Sequence, residues 1–326
     1  MFRFAFATAC ALSMPAMALA QSCGTTNLLD TLSETDAARI ETLVAPHPYP
    51  QGITFKAEKP DSIVTVVGTI HIPDPRLAPI VEKVRADLET ADLLILESTS
   101  EDQAGLQALA TTEPDIFFLT EGPTLIDLLG EEEWADISDR LAAIGIPSFF
   151  AAKFKPWYLG LTLAIPPCIV TQMASGGVGL DAQLETIATE KNIEIATLDD
   201  VEAVIALLAS DPLDEQLDGL RLSLELQGDG DAMTSTLVES YFQGRIRETW
   251  ELGRLMMENS GLENANELFE QFDGDILVGR NQDWEPTIVE LAAGKDVVLA
   301  VGAAHLSGES GVLRALERAG YTVTPY

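Results

Sequence analysis

The sequence predicts an α/β protein, with α+β as the alternative, built on a central and mostly parallel sheet whose strand carboxyl ends carry the functional groups. Three observations lead there. First, two apolar runs, residues 63–67 and 297–301, each break at a glycine with a histidine three residues beyond: Gly68-Thr69-Ile70-His71 near one end of the chain and Gly302-Ala303-Ala304-His305 near the other. Runs that are apolar throughout read as strands covered on both faces, which is the habit of parallel sheets. Second, strand, helix and strand patterns follow one another between residues 63 and 96, as in a right-handed βαβ unit. Third, residues 121–270 are mostly helical in pattern, so a largely helical middle section separates the two ends of the sheet.

Taken in order, residues 1–20 have the layout of a cleavable export signal. Met1-Phe2-Arg3 is a positive start, residues 4–17 are uncharged, and Ala18-Leu19-Ala20 forms an A-x-A site. The domain then spans residues 21–326, and an exported, periplasmic or secreted location follows. Leu28, Leu29, Leu32, Ile40 and Leu43 recur at helical spacing, with Ser33 placed to cap a second helical start. His47 stands between prolines in a loop, without a second ligand near it in sequence. Strands are expected at 53–57 and 63–67. Asp74-Pro75 opens a helix whose apolar face is Leu77, Ile80, Val81, Val84 and Leu88. Residues 93–96 form a strand that ends in Glu97. If the strands before His71 and Glu97 are neighbours, about 4.8 Å apart, the two side chains reach a common point.

Within the helical section one strand, 193–198, ends before Asp199-Asp200. The glycine-rich residues 175–179 lack a preceding strand and so read as a turn into the helix begun by Asp181, not as a phosphate loop. Residues 157–174 are apolar but are interrupted by Pro166-Pro167 and fall short of the ~20 residues a bilayer span needs, so no transmembrane segment is expected after signal removal. The chain ends with a helix (284–293), a strand (297–301), a helix (310–319) and a strand (321–324).

With 52 acidic against 19 basic residues, a formal charge of -33, the surface lacks the positive face that nucleic acids or anionic membranes require. The acids are dispersed, and 47% hydrophobic content supports a folded core. Outside the signal, the cysteines are Cys23 and Cys168. An exported chain pairs two such thiols, the alternative being two buried free cysteines.

Two histidines and a glutamate at strand ends, His71, His305 and Glu97, match the two-His-one-carboxylate pattern of an open metal site. A divalent ion there would lower the pKa of its water toward ~7 and favour hydrolysis. No G-x-S-x-G elbow competes, because Gly308-Glu309-Ser310-Gly311 lacks the last glycine at the required place. Arg280-Asn281 reads either as a clamp on a carboxylate or oxyanion, or as a helix entry with a surface ion pair.

Gly68-Thr69-Ile70-His71, Glu97, Gly179-Leu180-Asp181, Leu198-Asp199, Arg280-Asn281 with Trp284, and Val301-Gly302-Ala303-Ala304-His305-Leu306 with Gly308 and Gly311 occur in an order that resembles the TraB/GumN/PrgY family. That family is similar to the Tiki metalloproteases and, more distantly, to erythromycin esterase and the haem-iron-binding ChaN group. The resemblance implies an active-site set of His71, Glu97 and His305 with Arg280 and Asn281, and a divalent ion, manganese or cobalt before zinc. Asp199 departs from the glutamate usual in relatives, and Gly279 stands where an acid often precedes the Arg-Asn pair.

The expected protein is therefore an exported metal-dependent hydrolase acting on a peptide or small-molecule substrate, with Glu97 as ligand or as general base. Two alternatives stay open: a metal-free, esterase-like hydrolase, and a non-catalytic protein that binds metal, haem or peptide.

Overall fold

The computed structural model describes residues 23–24, 26–227, 230–261 and 264–326. The signal-like residues 1–20 lie outside the described residues. Six strands form one mixed sheet: β1 (Thr54–Lys59), β2 (Ser62–Thr69), β3 (Leu93–Leu96), β4 (Glu194–Thr197), β5 (Asp296–Gly302) and β6 (Thr322–Pro325), in the order β4-β3-β5-β2-β1-β6. β2, β5, β3 and β4 run parallel, while β1 pairs antiparallel with β2 and with β6.

Both faces of the sheet are covered, which is why the central strands are apolar without alternation. Successive residues of β5 feed opposite layers. Val297, Leu299 and Val301 pack with Trp284, Ile288, Leu313 and Leu316, from the helices Arg280–Ala292 and Val312–Arg318. Val298 and Ala300 pack with Leu77, Val84, Leu88, Leu184 and Tyr241, from the opposite side. The helix Ala78–Thr90 supplies that second layer with its Val81, Val84 and Leu88 stripe, as its spacing predicts.

The expected neighbour relation between β2 and β3 does not hold, because β5 lies between them. The crossover through the helix Ala78–Thr90 skips one position, and the strand from the far end of the chain fills it. Five consecutive β5 residues, Val297 to Val301, are at most 2% exposed, so the centre of the sheet suits them. Glu97 and His71 are consequently two strand spacings apart, about 9.6 Å, and His305 belongs to the strand between.

The helical middle section is not one unit. Trp134, Ile137, Leu141, Phe154, Leu159 and Leu220 build a separate core, whereas the helices Leu180–Lys191 and Gly230–Phe242 return to the sheet. Among the described residues no single helix is long and apolar enough to cross a membrane; Pro156–Leu163 and Pro167–Ala174 meet at a 78° bend.

Cys23 and Cys168 form a disulfide with Cα atoms 5.5 Å apart. The bond closes a sequence separation of 145 residues and ties the segment before the first helices to Pro167–Ala174. Because a long loop is closed, reduction, or Cys23→Ser with Cys168→Ser, is expected to lower unfolding stability by about 2–4 kcal/mol, read from urea denaturation with and without reductant.

Candidate active site

The parallel register sets the carboxyl ends of four strands side by side. Thr69 of β2 pairs with Gly302 of β5, Leu96 of β3 with Ala300, and Thr197 of β4 with Leu96. The residues just past those ends are His71, Glu97, Asp199 and His305. Because β3 is fully buried, continuing it by one residue leaves the Glu97 carboxylate only 14% exposed. A charge so placed needs partners.

Its partner is Arg280. Glu97 Oε2 accepts from Arg280 Nη2 at 2.6 Å, and Oε1 accepts from the Gly302 amide at 2.5 Å. The same guanidinium grips Asp199, with Nη2 donating to Oδ2 at 2.5 Å and Nε to Oδ1 at 3.3 Å. Trp284 Nε1 donates to Asp199 Oδ1 at 2.9 Å, and the Trp284 ring lies 4.7 Å from the guanidinium carbon. Glycine at 302 leaves room for the carboxylate, since a Cβ there would stand 3.0 Å from Glu97 Oε1.

Arg280 is not at a helix entry, nor in a surface ion pair. Helix continues through Ala265–Asp273, a π-helical stretch Gly274–Gly279, and Arg280–Ala292. The wider π turns shift the phase of the residues that follow, a device frequent at functional sites. Gly279 sits at the end of that stretch, where a Cβ would press on the Gly274 carbonyl at 3.0 Å.

His305 belongs to the short turn Ala303–His305 after β5 and is 4% exposed. Its Nδ1 faces Asn281 Oδ1 at 2.8 Å, so the ring carries its proton on Nδ1 and directs the Nε2 lone pair at the cluster. Arg280 Nη1 lies 3.2 Å from Nε2, and Glu97 Oε1 lies 3.8 Å from it. The Trp284 ring packs against the imidazole at 4.4 Å between centroids.

His71 is held differently. Its side chain is 68% exposed, and Nδ1 pairs with Asp181 Oδ1 at 3.0 Å, on the first turn of Leu180–Lys191. Gly179 makes that contact possible. A Cβ there would fall 2.6 Å from the His71 backbone, so only glycine lets the helix start approach so closely.

The electrostatics of the two histidines diverge. Burial pushes the His305 pKa down to about 4, with the Arg280 charge adding to the effect against the opposing pull of Glu97. The hydrogen bond to Asp181 raises that of His71, against some desolvation. Burial works against the Glu97 anion, but the positive charges of His305, when protonated, and of Arg280, with the Gly302 amide, outweigh it and leave the carboxyl below its ordinary range. Two carboxylates share one guanidinium, so with His305 neutral the cluster holds one excess negative charge.

The sequence-derived set is thus brought together in part. Glu97, His305, Arg280 and Asn281 interlock, while His71 stands at the rim with Asp181. Asp199 and Trp284, which the sequence supplied only as fragments of motifs, are full members of the cluster. Among the described residues no three His, Cys, Asp or Glu side chains are grouped so as to share a metal ion. Both Glu97 oxygens and His305 Nε2 are engaged by Arg280 or Gly302, whereas Asp181 holds only Nδ1 of His71. To hold a metal, Glu97 and His305 would first have to give up these partners.

A pH titration followed by NMR of the imidazole signals is expected to show His305 neutral down to about pH 4 and His71 titrating above its usual 6.5. Between 6.5 and about 4 the unfolded chain takes up a proton that folded His305 refuses, so stability held above pH 6.5 is lost as pH falls through that window. The depressed Glu97 pKa extends the loss further into acid, and thermal melts across pH 4–8 read the slope.

A model of the TraB/PrgY/gumN family matches residues 53–325, from the start of β1 through β6. The chain is also 24% identical over 252 residues to a protein of Escherichia coli (strain K12) and to its Shigella flexneri counterpart, both described as "Uncharacterized protein YbaP"; the alignment covers 75% of this chain and 84% of each relative. Since the matched span takes in the whole sheet and both strand-to-histidine turns at its rim, the chain belongs to the TraB/PrgY/gumN family.

Proposed function

We propose that this protein is an exported hydrolase of peptide or ester bonds in which His305 is the general base and His71 the general acid. One observation carries the reading: two histidines in twin sequence settings lie in opposite surroundings, one buried with its pKa pushed down to about 4, the other exposed with its pKa raised by the hydrogen bond to Asp181. Such divergence is how acid and base roles are assigned within one site.

In this scheme water enters between Nε2 of His305 and Arg280, displacing the Nη1 contact. Nε2 accepts the water proton, and Glu97 stabilises the imidazolium that forms, while Asn281 keeps the ring in the required tautomer. The carbonyl oxygen becomes an oxyanion beside Arg280, whose position is already fixed by Asp199 and Glu97. The intermediate formed by attack of the resulting hydroxide then collapses, and its C–N or C–O bond breaks as His71 gives a proton to the leaving amine or alcohol, with Asp181 favouring the protonated imidazole until that step. The Cys23–Cys168 disulfide supports export to an oxidising compartment.

A second reading, a Tiki-like metalloprotease with a manganese, cobalt or zinc ion, is favoured by the excess negative charge and by a neutral, tautomer-fixed His305. It needs Arg280 to leave Glu97 and His305 Nε2, while the Asp181 bond to His71 Nδ1 is compatible with ligation through Nε2. A third, binding without turnover, shares the same residues.

The deciding experiment offers peptide and ester libraries to the purified protein before and after dialysis against a chelator, with metal content measured alongside. Turnover that survives chelation supports the acid–base scheme. Activity lost with about one ion per chain and restored by adding it back supports the metal reading. Saturable binding with no turnover supports the third.

Under the acid–base scheme kcat/KM against pH is bell-shaped, its acid limb near 4 and its alkaline limb above 6.5. Glu97→Gln is expected to cost roughly 10²–10⁴-fold in kcat. His71→Ala should erase the alkaline limb and lower kcat by about 10²-fold. A profile with its acid limb near 6.5, or one whose alkaline limb survives His71→Ala, refutes the assignment.

A further inference from the structure

Residues 141–180 carry no Asp or Glu, where an even spread of the chain's 52 acids over 326 residues would place about six. The charged side chains within this stretch are Lys153 and Lys155. The same stretch holds six of the eleven large apolar side chains that stand exposed among the described residues: Phe149, Phe150, Leu161, Ile165, Met173 and Val178. Two unrelated properties, missing acids and uncovered apolar surface, coincide in about an eighth of the chain.

Packing against the core does not explain this. Leu141, Ala151, Phe154, Leu159 and Leu163 fill the separate helical core and account for the inward side. The outward side of a helix over water is ordinarily charged or polar. Here Phe150 meets Phe154 at 5.3 Å between ring centroids and Phe154 meets Tyr158 at 4.8 Å, with Leu161 and Ile165 following three and then four residues further on. Exposed apolar surface therefore continues from residue 149 to 165 through ring contacts and then along the chain. Pro156–Leu163 and Pro167–Ala174 are together apolar enough for a bilayer span, yet their 78° bend keeps them from forming one helix across it. The second of these helices leads, past Met173, to Val178, which precedes Gly179 at the backbone of His71.

We propose that residues 149–178 dock the protein on a phospholipid bilayer, lying in its surface without crossing it, with the exposed apolar side chains at the acyl boundary and Lys153 and Lys155 among the headgroups. A bilayer accounts for both properties. Apolar area leaving water stabilises the contact. A carboxylate carried to the low-dielectric boundary would lose its hydration at a cost, which gives a reason for the missing acids. The acids elsewhere favour water and hold the rest of the surface away from the lipid, so the docked orientation is defined. A second copy of the chain is a poorer occupant, because a two-fold contact sets Lys153 and Lys155 against the same stretch of the other copy, which offers no acid to pair them. Docking does not rest on hydrolysis, and it brings the His71 rim close to the membrane.

Flotation of the mature chain with phosphatidylcholine vesicles tests this. The chain is expected to float with the vesicles, and to do so at high salt, since the contact is apolar. Phe149 is 79% and Leu161 47% exposed, so Phe149→Glu and Leu161→Glu spare the core, and each is expected to weaken vesicle binding about tenfold or more. Phe272→Glu, at an equally exposed apolar residue outside the stretch, is expected to leave binding unchanged. Circular dichroism confirms the fold of each variant, and either stretch variant suffices if the other does not fold. No flotation of the native chain, affinity unchanged in the folded stretch variants, an equal loss in Phe272→Glu, or release by high salt overturns the proposal. So does self-association in analytical ultracentrifugation that Phe149→Glu abolishes while the native chain fails to float, an outcome that gives the face to a second copy. Vesicle binding is read without turnover, so its failure is separate from any failure of the hydrolase reading.

Discussion

The site rests on one guanidinium shared by two carboxylates. Glu97 and Asp199 leave adjacent parallel strands at the same level, and without Arg280 their charges would meet in a space mostly closed to water. Like charges so placed repel. Arg280 removes that conflict and is in turn fixed by it. Removing one partner of such a buried set costs about 3–5 kcal/mol, because the other is left uncompensated. The π stretch Gly274–Gly279, the glycine at 302 and the indole of Trp284 all read as consequences of placing that one cation.

The second constraint is that twin motifs need not have twin surroundings. β2 and β5 lie side by side and parallel, and each hands on to a histidine, yet the layers above them differ. After β5 the turn folds beneath the Arg280–Ala292 helix, and the imidazole is sealed between Trp284 and Asn281. After β2 the chain runs past the start of Leu180–Lys191, leaving the ring open to solvent on one side and bonded to Asp181 on the other. Burial and a carboxylate are opposite influences on an imidazole, so one repeated sequence pattern yields one ring with its pKa pushed down and one with its pKa raised.

The helical residues between β3 and β5 do two jobs. Part of them builds a separate core around Trp134 and Phe154. The rest supplies Asp181 and the Tyr241 hydroxyl that donates to the Gly68 carbonyl at 2.8 Å. The sheet therefore gives the site its rigidity, while the helical section decides what surrounds each histidine.

Apolar strand runs, helix stripes and caps are local signals, and they placed β3 at residues 93–96, the Ser33 and Asp74 caps, and the strand ends at Glu97 and both histidines. The Cys23–Cys168 pair was likewise within reach, since compartment and parity left few choices. What local pattern does not encode is which strand takes which slot. That β5 enters between β2 and β3 is decided by the burial of the whole sheet, and it made Glu97 and His305 neighbours while setting His71 apart. Nor does Arg280-Asn281 announce in sequence that it lies within a continuous helical run whose π turns aim it at two acids. Those contacts join residues 81 and 183 positions apart, and only the packed fold brings such distant charges within hydrogen-bonding range.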